Sequence, residues 1–385
     1  MNYLVKSYDE LGIDAEISLM DPVGKVKEFQ VILHVSPQII GFFQQIISIQ
    51  SALKLLLKDE LLQNAVPVSA RCFLSDAANQ QSHISTLSEL LDCTMCIVQQ
   101  PPLDGSKLAL WLQLQTHVSR GNDGLPYYEH NSYHHYYTSA DCGKKRSISE
   151  DSYHQTLELL EEYEVQLVER GCTIKRDCIR TWFCVRDVDV NYQGIVKARR
   201  ENFIQHGLTK DTHYIASTGI EGSNANPQVK VLMDAYAIRG LDEGQIRFLY
   251  AKDNLNPTYE YGVTFERGVY VDFGDRRKVY ISGTASINNK GEIMYPGDVV
   301  KQVHRTWDNV EALLNEADCT FDDIAQIIVY LRDVADYQCV KEMFDTKFAN
   351  VPNGILLAPI CRAGWLVEME CIAIKPIQQN KYRDL

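Results

Sequence analysis

Three stretches of this chain resemble one another, and that internal repetition restricts its fold more than any other feature. "ARCFLSDAANQ" (residues 70–80), "RTWFCVRDVDVNYQ" (180–193) and "QIIVYLRDVADYQ" (326–338) each run as β-branched or aromatic residues into an aspartate: Asp76, Asp187 and Asp333. A polar–apolar helical pattern then begins. Each is followed by a second strand-rich stretch: "KLALWLQLQTHV" (107–118), "VKVLMDAYAI" (229–238) and "LVEMECIAI" (366–374). Upstream, "DVVKQVHRTWDNVEALLNEADC" sets Val299, Val303, Trp307, Val310 and Leu314 at helical spacing. "SYHQTLELLEEYEVQLVERGC" does the same, with Ser152 and Gln155 as a capping-box pair and Gly171 as the stop. The first copy offers "IIGFFQQIISIQSALKLLLKDELL", so apolar that it reads as a helix buried on most sides.

Each copy thus reads as strands, helix, strand, helix and a closing hairpin: an α+β unit with two helices on one face of a sheet. The other sheet face stays bare in an isolated unit. Three units packed about a pseudo-threefold axis cover those faces. The expected units span residues 1–118, 134–240 and 263–376, with turn-rich linkers at about 119–133 and 239–262.

Composition narrows the function. The net charge of −13 disfavours a nucleic-acid partner. No apolar run approaches the roughly 20 residues that span a bilayer, and the N-terminal residues have no basic-then-apolar secretory pattern, so no membrane role is expected. Eleven cysteines without framework spacing read as free thiols of a reducing, cytoplasmic compartment. The one CxxC, Cys93 to Cys96, has no second pair or histidine cluster at zinc spacing, so no metal is expected. No motif for an organic cofactor occurs.

The strand "LVEMECIAI" carries two acids among apolar residues. Period-two alternation puts Leu366, Glu368, Glu370 and Ile372 on one face, and Val367, Met369, Cys371 and Ala373 on the other. The second set suits the helix layer. The acids therefore face the side where units meet, where desolvation raises a carboxyl pKa and makes it a proton donor near neutrality. Superposing the repeats matches Glu370 to Asp234 but Glu368 to Leu232, so Glu368 belongs to the third unit alone and marks one site rather than three. The competing reading of Glu368 is an acid paired with an arginine. A hairpin turning at Ala363-Gly364 brings Cys361 opposite 367 or 368, as a pocket-wall residue. Arg362 is either a turn-exposed charge or a carboxylate anchor. In the second unit, "THYIASTGIEGSN" supplies Tyr214, Ser217, Thr218 and Gly219, hydroxyls and backbone N–H groups suited to an anion; Tyr214 also reads as a core aromatic.

The segments "VYISGTASINNKGEIMYPGDVVKQVHRTWDNVEALL" and "VYLRDVADYQCVKEMFDTKF" resemble the Rid (YjgF) family, homotrimers with sites between subunits. The fused repeats, with "FLSDAANQ" and "YIASTGIEG" in the first two copies, resemble a narrower group, the chorismatases. The resemblance implies loss of the enolpyruvyl side chain of chorismate as pyruvate, with Glu368 as the acid and no cofactor. It implies that Gly283 of "YISGTAS" lines the pocket and that Arg267 of "TFERG" lies close to it; Arg267 also reads as a solvated strand-end charge. Gly283 with Cys361 resembles the hydroxybenzoate-forming type, leaning to 3-hydroxybenzoate. The chain departs from deaminating Rid proteins after Pro352, where their substrate-binding Arg is replaced by Asn353-Gly354. The alternatives are a Rid-type enamine/imine deaminase and a non-catalytic ligand-binding protein. The expected partner is a small anionic substrate, and the expected state is a monomer with pseudo-trimeric internal symmetry or a weak homo-oligomer.

Overall fold

The computed structural model describes residues 1–122, 126–144 and 151–385. Three six-stranded sheets follow one another along the chain. The first unit contains β1 (Asn2–Tyr8), β2 (Ile13–Met20), β3 (Glu28–Val35), α1 (Phe42–Leu56), β4 (Ala65–Leu74), the short α2 (Ala77–Gln80) and α3 (Ser85–Leu91), β5 (Thr94–Gln99) and β6 (Leu108–Thr116). The second contains β7 (Ser119–Asn122), β8 (Pro126–His130), β9 (Tyr133–Asp141), α4 (Ser152–Glu169), the single-turn α5 (Ile174–Asp177), β10 (Cys178–Val185), α6 (Val188–Gln205), β11 (Ala216–Glu221) and β12 (Val231–Arg239). The third contains β13 (Ile246–Leu249), β14 (Gly268–Asp272), β15 (Arg276–Ala285), α7 (Val299–Glu316), β16 (Ile324–Leu331), α8 (Tyr337–Lys347), β17 (Asn353–Leu357) and β18 (Val367–Pro376).

The strand orders are β1-β2-β3-β6-β4-β5, β7-β8-β9-β12-β10-β11 and β13-β14-β15-β18-β16-β17, the same topology three times. The fourth and fifth strands of each unit are parallel, which requires a crossover, and a helical segment supplies it each time. The chain is therefore a tripled α+β unit, as the repeats imply. The expected closing hairpin does not form: β18 inserts between β15 and β16, while β17 pairs with the far edge of β16. The stretches expected as linkers also carry strands, since β7, β8 and β13 extend the second and third sheets, with residues 123–125 outside the described residues.

Units close in a ring. β5 packs against β9, β11 against β15, and β16 against β3. Isolated bridges stitch the junctions: Gln99 to Ser223, Ile220 to Ile360, and Pro102 to Leu356. Helices cover the outer sheet faces. Val303, Trp307, Val310 and Leu314 of α7 are buried as the spacing requires. The cap of α4 is Asp151, whose carboxylate accepts the His154 N–H, while the Ser152 hydroxyl donates instead to the Asn191 carbonyl. α1 is a surface helix: Phe43, Ile47 and Leu55 are exposed and only one face packs on the sheet. Among the described residues no helix is long and apolar enough to cross a membrane.

Candidate active site

At the junction of the second and third units, the acid-bearing strand β18 faces inward, as its alternation demands. Glu370 turns to the ring axis. It accepts from Arg180 Nη2 at 2.8 Å, Trp182 Nε1 at 3.0 Å and Tyr330 OH at 3.1 Å, and from the Thr218 hydroxyl. Arg71 of the first unit stands 3.7 Å away. A carboxylate with this donor set is filled as an acceptor and is a structural anion.

Glu368 has the opposite environment. It is only 4% exposed, and among the described residues no ion pair engages it. Burial first, then the neighbouring charge of Glu370, pushes its pKa up to about 8, against the pull of Arg180 and Arg267. Such a carboxyl holds its proton at neutral pH and can deliver it.

The acid opens onto a cleft with about 700 Å³ of empty space, part of it open to solvent. The third unit supplies Arg267, Gly283, Cys361, Arg362 and Trp365; the second supplies Tyr192, Arg199, Ser217 and Gly219. Three arginines thus line the cleft that holds this carboxyl. Arg199 of α6 is buried, with Nε donating to Thr264 Oγ1 at 3.2 Å and its guanidinium 5.8 Å from the rings of Phe183 and Phe265. Arg267 donates to the Asn256 carbonyl at 2.9 Å. Arg362 stacks over Trp365 at 4.8 Å. An arginine's fixed fork suits carboxylate ligands.

Gly283 sets how close the acid can come to the wall. A β-carbon there would lie 2.1 Å from Glu368 Oε1 and 3.0 Å from Thr218 Cγ2. The glycine sits in a bulge of β15, where the register with β18 slips between Ile281 and Thr284. The corresponding pairs β3–β6 and β9–β12 run without a slip. The bulge turns its polar groups to the second unit: the Gly283 N–H donates to Thr218 Oγ1 at 2.9 Å, and Ser282 Oγ accepts the Ser217 N–H at 2.9 Å.

The candidate site residues singled out from the sequence divide as follows. Glu368, Arg267, Gly283, Cys361, Arg362, Ser217 and Gly219 share the cleft. Thr218 stands behind its wall, linking Gly283 to Glu370. Tyr214 lies outside: it stacks on Phe203 and faces a neighbouring hollow that shares only Arg267 with the cleft. Cys361 reaches the cleft from the loop between β17 and β18, not from a hairpin partner of Glu368. Burial, then the charge of Glu368, pushes its thiol up to about 12, so it is no thiolate nucleophile. Arg199 and Tyr192 escaped the sequence reading, yet a signal existed. Arg199 shares the buried stripe of α6 with Ile195, Asn202 and Phe203, where an arginine needs a reason. Among the described residues no cluster of potential metal ligands occurs.

Comparison with known proteins adds the following. The family model described as Endoribonuclease L-PSP matches residues 266–375. A 2-iminobutanoate/2-iminopropanoate deaminase of Mus musculus is 30% identical over 114 residues, 29% of this chain and 81% of its own length. A RutC family protein of Pyrococcus abyssi is 27% identical over 99 residues, 25% of this chain and 78% of its own. A crystal structure of a chorismatase superposes with a TM-score of 0.61 at 16% identity, covering 80% of this chain and 93% of that one; this is a likeness of fold.

Proposed function

Since the chain belongs to the Rid/YjgF (endoribonuclease L-PSP) family, we propose that this tripled member is an enzyme of the chorismatase type, cleaving the enolpyruvyl ether of chorismate. The observation that carries the reading is Glu368, buried and engaged by no ion pair among the described residues, in a cleft lined by Arg199, Arg267 and Arg362. Chorismate has two carboxylates and one acid-labile enol ether. Two of the three arginines hold the carboxylates, which also offsets the repulsion from a chain of net charge −13. Glu368 protonates the terminal CH₂ of the enol ether, giving an oxocarbenium ion. The C–O bond to the ring then breaks, or water adds and the hemiketal collapses. By either route pyruvate leaves, and with aromatisation the ring becomes a hydroxybenzoate. Pyruvate and hydroxybenzoate together contain all the atoms of chorismate, so no net water is consumed. The pair Gly283 and Cys361 resembles the hydroxybenzoate-forming type, leaning to the 3-hydroxy isomer. Because one chain supplies both walls of the cleft, the enzyme is proposed to act as a monomer or a weak homo-oligomer, with no residue needed from a second copy.

Incubation of the pure protein with chorismate should release pyruvate, measured with a coupled dehydrogenase, and an aromatic acid identified by chromatography. Pyruvate at background level ends this reading. A deaminase reading is favoured by the similarity to the mouse enzyme. It is disfavoured by the fifth strands, which carry Ser217-Thr218 and Asn353-Gly354 where deaminating relatives place an arginine. Ammonia release from an enamine substrate would establish it, and chorismate binding without turnover would mark a ligand-binding protein.

A further inference from the structure

The first unit contributes nothing to the cleft, yet it reaches the acid's neighbour. Arg71 on β4 donates to Asp234 of the second unit at 2.9 Å, lies 3.7 Å from Glu370 of the third, and sits between the rings of Trp111 and Trp182. Arg180 closes the chain on the far side of Glu370 at 2.8 Å. All four are buried. Two arginines and two acids sum to zero charge, with one member or more from each unit meeting at the ring axis. Ionisation of Glu368 adds a negative charge beside this quartet, with Arg267 on the cleft side of it.

We infer that Arg71 and Asp234, neither of which lines the cleft, are positioning residues that set the pH at which Glu368 gives up its proton. The inference rests on Glu368 being the acid of the proposed reaction, but it concerns the side chain's proton and is testable without turnover. Other groups also face Glu368. Glu370 comes from its own strand, Tyr330 from β16, and Cys361 and Arg362 from the loop before β18. Arg267 comes from the segment before β14, Arg180 from β10, and Arg199 and Tyr192 from α6. These stay constant when only Arg71 or Asp234 changes. The signs are then fixed by charge. Asp234→Asn leaves the quartet one charge positive and favours the Glu368 carboxylate. Arg71→Met leaves it one charge negative, so Glu368 holds its proton to higher pH. The double variant restores neutrality.

The experiment follows the carboxylic-acid C=O infrared band of the whole chain against pH, assigned to Glu368 by its loss in Glu368→Gln. The midpoint is expected about half a unit to one unit lower in Asp234→Asn, higher by a similar amount in Arg71→Met, and near wild type in the double variant. The alkaline limb of kcat, where pyruvate is formed, should move in parallel. Equal midpoints in all variants, or shifts of the same sign in both single variants, overturn the inference. If one single variant fails to fold, the other single and the neutral pair decide it. Absent pyruvate with shifting midpoints condemns the chorismate reading and leaves this coupling standing; pyruvate with fixed midpoints does the reverse.

Discussion

Two clefts of this molecule occupy the same place in the repeat and are built for opposite charges. One lies between the second and third units, under Glu368. The other, of about 900 Å³, lies between the third and first, where β17 and α8 replace β11 and α6. By register, Ser217 and Gly219 of the first cleft correspond to Asn353 and Ile355 of the second. Arg199 corresponds to Asp345, equally far beyond Asp187 and Asp333. Glu368, paired with Tyr330, corresponds to Ala109, paired with Phe73. Arginines wall the first. Asp14, Glu16, Asp104 and Asp345 wall the second, against Lys341 and a His34 held 3.3 Å from Asp104 and 3.5 Å from Glu16. Glu16 also accepts the Asn353 N–H at 2.9 Å, tying the two units together. The fold supplies a hollow at each of these two junctions, and the charge of the walls differs between them.

The comparison breaks most sharply at the acid. Glu368→Gln should cut pyruvate formation about 10²- to 10⁴-fold without loss of fold by circular dichroism, while Glu16→Gln, in the other cleft, leaves turnover within about twofold. If Glu16→Gln proves equally damaging, the two clefts are not functionally distinct. A methyl group added at one or the other of two glycines gives the next largest contrast. Gly283→Ala drives its β-carbon into the Glu368 carboxyl and should lower kcat about 10- to 100-fold. Gly354→Ala meets only Ile328 Cδ1 at 3.4 Å and should behave as wild type in the same assay. Arg362→Gln, partly exposed at the rim, should raise KM for the anionic substrate about tenfold with kcat largely kept, the loss of one charge-assisted bond. Lys341→Gln in the acidic cleft should not change KM.

The two clefts also differ in stability against pH. Glu368 titrates at about 8 in the fold against an ordinary 4.5. Between those values the native state binds more protons than the unfolded one, so stability falls as pH rises through that window. Urea unfolding of Glu368→Gln should lack that fall, a difference of order a few kcal/mol at its upper end. In the acidic cleft, burial lowers the His34 pKa, but Asp104 and Glu16 outweigh it and raise it to about 10 from an ordinary 6.5. Its contribution is complete below 6.5 and lost as pH climbs towards 10, so His34→Gln should flatten the higher window and leave the lower one unchanged.

Much of the architecture could be read from residue pattern. The repeated strand–Asp–helix signature implied three α+β units, and alternation in "LVEMECIAI" turned both acids inward. Comparing copies separated Glu368 from Glu370 before any geometry was known. The closing hairpin was misjudged because adjacency in sequence does not report which strands pair: β18 lies between β15 and β16. The apolar run of α1 overstated burial because the first unit leaves that helix's outer face to solvent. Tyr214 was drawn towards the site by its neighbours Ser217 and Thr218, but it precedes β11 and packs on the helix side against Phe203.

Sequence alone determined which side chains are acidic, apolar or small at each period of the repeat, because strand alternation and helix spacing are local properties of the chain. The tertiary structure decided which acid is satisfied and which keeps its proton. Arg71, Arg180 and Glu370 are separated by roughly a hundred residues or more, and only closure of the ring brings their charges close enough in a dry interior to balance. The same closure set the bulge at Gly283 against Glu368. Electrostatic energy depends on distance and on excluded water, and neither is written in the order of the residues.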